Sequence, residues 1–211
     1  MVTAREIIER LFTDLNVSSE KQESLRTAAL RWVNEGQEDI AKQTLCLEAQ
    51  ARMNTSDGHK QYPLPGKPPI TDCLGIQDVL LDGVELIPTT LTELASFYDD
   101  WTTQTGTPIF YLPRMSGFQW RLWLVPIPIS NSGHLDIFYY RRAKKIEETN
   151  QGIVVDTDLL QRYLKWKLAE HLEDARADNF QIKYEIERER IAPSLRVKQM
   201  QKMPVIRKVW P

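Results

Sequence analysis

Histidine and cysteine are nearly missing: three of the one and two of the other in 211 residues. His59, His134 and His171 stand far apart, without an HExxH pairing or the spacing of a Cys/His ligand set. Each is read as solvent-facing or locally hydrogen-bonded, and no metal site is expected. Cys46, in an apolar helical stretch, and Cys73 form no CxxC pair; the reading is two buried reduced thiols, with a single disulfide as the alternative. No apolar run approaches the ~20 residues of a membrane span. The opening Met1–Glu6 has no apolar signal core behind its first charge, so a protein made in a reducing cytoplasm, with no membrane partner, is expected. A net charge of −2 gives no overall bias toward nucleic acid. There is no GxGxxG, Walker or GxSxG motif. Asp156 and Asp158 fit the cap and first turn of a helix better than a metal site. Asp99 and Asp100 are read as surface acids. The chain is therefore read as a non-enzyme without a cofactor.

What is present organises well. Apolar residues make up 42 % and charged residues 27 %, a folded composition. Thr3 and Glu6 have capping-box spacing ahead of the stripe Ile7, Ile8, Leu11, Phe12 and Leu15, which predicts a first helix. A second, capped by Ser19 and Gln22, is expected to run to about residue 53, although Gly36 weakens its middle. From Asn54 the chain turns rich in Gly, Pro and strand formers. Ile76–Leu81, Asp82-Gly83 and Val84–Ile87 read as a hairpin, and 92–102 as a short helix. Strands follow at 109–112, 119–125 and 135–141. The imperfect alternation of Trp120–Leu124 suggests a strand covered on both sides or lying at an interface. Helical spacing returns after Asp156, through Leu159, Leu160, Tyr163 and Leu164 to Phe180, Ile182, Tyr184 and Ile186, and Pro193 is expected to end it.

The fold class predicted is α+β: a helical bundle formed by N- and C-terminal helices, with an inserted antiparallel β-rich domain. The parts are 1–54 (helical), 55–155 (β-rich), 156–192 (helical) and 193–211 (a basic, partly apolar tail). Residues 194–211 hold Arg196, Lys198, Lys202, Arg207 and Lys208 and no acid, alongside Met200, Met203, Ile206 and Trp210. That is more apolar content than a solubilising tail needs, and it predicts docking on a partner subunit, with nucleic-acid or anion contact and packing back on its own domain as the alternatives. The aromatics of the centre exceed what a small β-domain needs for its core. Trp101, Trp120 and Trp123 are the candidates for an interface.

In their order and spacing these features resemble the head-to-tail adaptor proteins of tailed bacteriophages, especially the tail tubular protein A type of short-tailed phages. The likeness is carried by the helical pair, Tyr62-Pro63-Leu64-Pro65, Val79-Leu80-Leu81-Asp82-Gly83 and Thr105–Tyr111. It continues through Leu122–Pro128, Leu135–Tyr140 and Leu159–Leu164, over roughly residues 5 to 190. The resemblance implies a structural virion protein at the head–tail junction, a homo-oligomeric ring, usually a dodecamer, that encloses DNA without reading its sequence. It implies a portal partner and a downstream tail or nozzle protein. In that setting Arg196, Lys198, Met200, Lys202, Met203, Ile206, Arg207, Lys208 and Trp210 become a portal-docking tail, and Trp101, Trp120 and Trp123 the tail-partner interface. A ring contact between helix 19–53 of one copy and helix 157–190 of the next is one expectation, and a contact through the β-domain is the other. The alternatives are a soluble peptide- or glycan-binding module and, further off, a cell-wall hydrolase.

Overall fold

The computed structural model describes residues 2–64, 73–97, 100–116, 119–131 and 133–201, with backbone alone at 97, 115, 116, 119, 120 and 193–201. The chain divides into two compact units, one built from Met1–Leu47 with Arg142–Lys198, the other from Glu48–Arg141. The chain thus leaves the helices at 47/48 and rejoins them at 141/142, not at 54/55 and 155/156.

In the helical unit, α1 (Ala4–Asp14) opens with the expected capping box: Thr3 N donates to Glu6 Oε2 at 2.7 Å, and Glu6 N to Thr3 Oγ1 at 3.3 Å. These bonds to the ionised carboxylate lower the pKa of Glu6. Ile7, Ile8, Leu11 and Phe12 are buried as their spacing requires. α2 (Ser19–Thr44) starts differently from the expectation. Ser18 is the cap residue without a side-chain bond, and Gln22 Nε2 donates back to the carbonyl of Val17 at 2.9 Å.

α2 also stops nine residues early, with Leu45 in the left-handed region at φ 50°. Residues Glu48–Asn54 form strand β1, whose alternating burial uses Ala49, Ala51 and Met53 at period two. A short apolar run of this kind satisfies helix and strand spacing alike, and sheet pairing decides it. Cys46 therefore lies outside the helix and is exposed, while Cys73 is buried; both thiols are free.

Segment 142–155 belongs with the helices. Ala4 N donates to Gln151 O at 3.0 Å and Ile153 N to Val2 O at 2.8 Å. The Asn34 amide brackets Ile146, donating to its carbonyl at 2.9 Å and accepting from its N–H at 2.7 Å. Arg142 pairs with Glu38 at 2.7 Å. Asp156 then caps α4 (Thr157–His171) by accepting from Leu159 N at 2.8 Å, as expected. α4 packs on α2, and Gly36 marks the closest approach. A Cβ there would lie 2.6 Å from Tyr163 Cδ1 and 2.7 Å from Leu160 Cδ1. α5 (Ala177–Gln201) carries Pro193 inside it instead of ending there. Proline removes one ladder hydrogen bond, which weakens a helix without forbidding its continuation.

The second unit is a two-sheet sandwich. In chain order it contains β1, β2 (Gln61–Pro63), β3 (Cys73–Leu81), β4 (Val84–Glu85), β5 (Ile87–Pro88) and α3 (Leu91–Phe97). β6 (Thr105–Gly106), β7 (Phe110–Ser116), β8 (Gln119–Val125), β9 (Ile127–Pro128) and β10 (His134–Arg141) complete it. The two four-stranded sheets of the sandwich have the orders β1-β10-β3-β4 and β2-β8-β7-β5, and β6 and β9 pair in parallel as a separate two-stranded sheet. Asp82 (φ 51°) and Gly83 (φ 81°) make the tight turn predicted between β3 and β4. The returning strand is shorter than expected: Ile87 and Pro88 leave β3 and pair in parallel with β7.

Val79, Leu81, Leu135 and Ile137 of the first sheet share a core with Tyr62, Tyr111, Leu122 and Leu124 of the second. The far side of the second sheet holds another cluster, Leu94 of α3 with Leu112 and Val125. β8 is thus apolar on both faces, which accounts for its imperfect alternation.

Each unit buries a tyrosine whose phenol resists ionisation. Burial, then the charges of Asp78 and Glu85, push Tyr111 up to about 12. Burial, then Glu35, Asp39 and Glu170, do the same for Tyr163, also to about 12. Both stay protonated in the fold to about pH 12, while the unfolded chain releases those protons near 10. The stability they contribute is complete below pH 10 and is lost as the pH rises through 12. Base titration followed by circular dichroism is expected to show cooperative loss of structure beginning above pH 10. The variant Tyr111→Phe, with no proton to lose, should move the β unit's share of that loss to higher pH.

Candidate interaction surfaces

Among the described residues no group of three or more His, Cys, Asp or Glu side chains is placed to hold a metal ion. His59 Nδ1 lies 3.1 Å from the carbonyl of Asp57, and His134, the first residue of β10 and not a loop residue, lies 3.0 Å from Asn54 Oδ1. His171 is exposed and meets Trp32 edge-on with ring centroids 5.4 Å apart. Among the described residues no helix is long and apolar enough to cross a membrane.

Of the aromatic candidates, Trp101 and Trp123 come together, with ring centroids 6.1 Å apart, against the Leu94–Leu112–Val125 cluster. Both are half-buried. Lys60 Nζ and the Arg114 guanidinium each stand 5.0 Å from the Trp123 ring centroid, so the indole is flanked by two cations. Its Nε1–H is buried and has no hydrogen-bond partner among the described residues. Trp120 is placed only by its backbone, at the start of β8 opposite Met115. Tyr98, Asp99 and Phe118 lie outside the described residues, as does 65–72 of the proline-rich segment.

α5 presents a surface that sequence reading missed. Phe180, Ile182, Tyr184 and Ile186 read in sequence as one apolar run, but residues two apart in a helix cannot share a face. Tyr184 turns inward and is 1 % exposed. Ile182 and Ile186, one turn apart on the opposite side, are 55 % and 62 % exposed. The i,i+2 spacing carried that signal. The same geometry narrows the expected contact between helices 19–53 and 157–190. The apolar faces of α2 and α4 already meet within one chain, and that pairing leaves Ile182 and Ile186 of α5 exposed. Of the tail residues, Arg196, Lys198 and Met200 continue α5. Lys202, Met203, Ile206, Arg207, Lys208 and Trp210 lie outside the described residues.

The model of the SU10 adaptor protein family matches residues 2–207, nearly the whole chain. The chain belongs to the SU10 adaptor protein family. It is a bacteriophage structural adaptor and so a component of the virion. No curated protein matches the chain in sequence comparison. The match spans both units, so the β sandwich is as much part of the adaptor as the helices, and it extends past Gln201 into the basic tail.

Proposed function

We propose that this adaptor forms a ring of about twelve copies between the portal of the DNA-filled head and the tail, as in the tail tubular protein A type, and that the ring continues the DNA channel. The observation that carries the reading is the family match over both units and into the tail. The exposed pair Ile182 and Ile186 supplies apolar area for a neighbouring copy. The basic stretch that begins at Arg196 and Lys198 supplies positive charge for the portal, and the Trp101–Trp123 cluster, with Trp120 beside it in the strand, faces the downstream tail or nozzle protein. DNA is enclosed without base contacts: a chain with net charge −2 lacks the excess of cations that backbone binding requires.

Native mass spectrometry of the chain mixed with its cognate portal ring tests this. The expected result is a complex gaining about twelve copies, with uptake weakened in a chain that stops before Pro193. A full-length chain that stays monomeric and unbound at micromolar concentration would sink the adaptor ring.

A further inference from the structure

Beside the apolar stripe that α4 buries against α2 runs a polar one. Asp158 and Arg162 stand four residues apart, as do Gln161 and Lys165, so the four share one side of the helix. With Phe180 and Lys183 of α5 they line an open cleft of about 350 Å³ inside the helical unit. Gln161 is the most deeply buried of these residues, at 8 % exposure, and its Nε2–H donor has no acceptor among the described residues. A buried amide donor left unpaired is costly, and a native fold that keeps one calls for a reason. Arg162 and Lys183 are exposed, and among the described residues neither forms an ion pair, although Asp158 lies one turn before Arg162. Lys165 differs, since it is bound to Asp14 at 2.7 Å. The cleft therefore gathers two uncommitted cations and a buried donor against a single acid, in a chain whose net charge is −2.

All three of those groups offer hydrogens and need an acceptor, so the fitting ligand is an oxyanion, either a carboxylate or a phosphate. The lining favours the carboxylate. Its two coplanar oxygens match the fork of the Arg162 guanidinium, and their remaining lone pairs can accept from the Lys183 ammonium and the Gln161 amide. Asp158 lines the same cleft. A fixed anion there opposes a nucleic-acid strand, whose charges recur about every 3.4 Å, but it can accept from the backbone N–H of a peptide. The cations are also confined to one cleft, whereas a phosphate backbone is tracked by a stripe of them. Phe180, half-buried, adds an apolar wall that suits a side chain next to the carboxylate.

We propose that the cleft between α4 and α5 receives an acidic segment of a partner protein. Arg162 and Lys183 bind a carboxylate of that segment, the buried Gln161 amide donates to it, and an apolar residue beside it lies on Phe180. The site lies wholly within the helical unit and stands whether or not copies of the adaptor close into a ring. Lys183 directly follows Ile182, so a partner seated here is held at the border of the exposed Ile182–Ile186 face. The charges then fix the direction in which that partner approaches, which is what polar contacts at an apolar patch do best.

The probe is a fluorescein-labelled pentapeptide, Glu-Glu-Phe-Glu-Glu, titrated into the full-length chain at low salt and followed by anisotropy. Saturable binding is expected, lost when glutamines replace the glutamates and weakened about fivefold or more by Arg162→Gln and by Lys183→Gln. Both residues are exposed, so these substitutions leave the fold intact. Gln161→Leu keeps the volume and removes the donor. It should weaken the peptide to a similar degree while its urea midpoint stays at or above that of wild type. No saturable binding up to millimolar peptide overturns the proposal. So does equal binding by wild type and the Arg162 and Lys183 variants, which would put the peptide on the basic tail instead. A Gln161→Leu chain that loses stability and binds the peptide unchanged gives the amide a packing role and overturns the site. A short DNA duplex that displaces the peptide and loses affinity in the same variants makes the cleft a phosphate site and overturns the acidic partner. Portal uptake by wild type is measured separately, so a failed peptide arm with uptake intact removes only this proposal, and the reverse removes only the adaptor ring.

Discussion

Replacing Gly36 by leucine will unfold the helical unit at much lower urea than wild type, with an expected loss of about 3 kcal/mol or more. Glycine in the middle of a helix is ordinarily a weakness, about 1 kcal/mol worse than alanine. Here the missing side chain is where α4 crosses. A Cβ would sit 2.6 Å from the Tyr163 ring and 2.7 Å from a Leu160 methyl, distances at which something must move. Leu160 can turn its methyl aside. Tyr163 cannot, because Trp166 and Tyr184 hold its ring edge-on at centroid separations of 5.5 and 5.3 Å. For Gly36→Ala the propensity gain therefore offsets only part of the overlap, and a net loss of about 1 kcal/mol is expected. Urea titration followed by far-ultraviolet circular dichroism reads both variants. A Gly36→Ala chain more stable than wild type would show that α2 and α4 have slack at this crossing.

That glycine shows how legibility divided between sequence and structure. Local chemistry was readable: the Thr3–Glu6 box, the Asp156 cap and the Asp82-Gly83 turn each need only residues a few positions apart. The α+β plan was readable too, because helical and strand spacing alternate in long blocks. What failed depended on partners remote in sequence. Ala49, Ala51 and Met53 continue a helical pattern as well as they fill a strand, and only β10, some ninety residues on, settles the matter. Residues 142–155 have no periodicity, so nothing local tied them to α1 and Asn34. Gly36 was legible as a flaw and not as a crossing point, since the side chains that fill its space lie on α4. The interaction surfaces were half legible. Trp101 and Trp123 were singled out, yet their shared cluster under α3 needed three dimensions. Ile182 and Ile186 read with Phe180 and Tyr184 as a continuation of helical apolar spacing, and only the packed helix separates the buried Tyr184 from the exposed pair.

Tyr184→Ala should release α5 from its unit while leaving the other helices folded. Among the described side chains of α5, Tyr184 alone is buried, so it is the anchor of a long helix that is otherwise polar or outward-facing. Its ring stacks on Trp166 at 6.1 Å and meets Tyr163 at 5.3 Å, and its hydroxyl donates to Asp39, which also attracts Arg188 at 3.7 Å. Burial first, and then the Asp39 carboxylate, raise the phenol's pKa, so the donated proton is retained at neutral pH. Truncating a buried aromatic of this size costs about 3–5 kcal/mol. Tyr184→Phe keeps the packing and forfeits the bond, leaving Asp39 to Arg188, for about 1–2 kcal/mol.

Trypsin reports the difference, because Lys183, Arg188 and Arg190 lie along the helix. Cleavage there should be fast in Tyr184→Ala, slower in Tyr184→Phe and slowest in wild type, and equal rates in all three would remove Tyr184 as the anchor. The effects of Tyr184→Ala and Gly36→Ala should not add. Once Tyr184 is gone, Tyr163 has room to yield to the new methyl at 36, so the double variant is expected to be more stable than the sum of its parts predicts. The functional consequence follows from continuity. α5 carries both the exposed Ile182–Ile186 face and the basic stretch that begins at Arg196. A helix without its anchor presents neither in a fixed direction, and Tyr184→Ala should therefore weaken portal uptake even though it alters no surface residue.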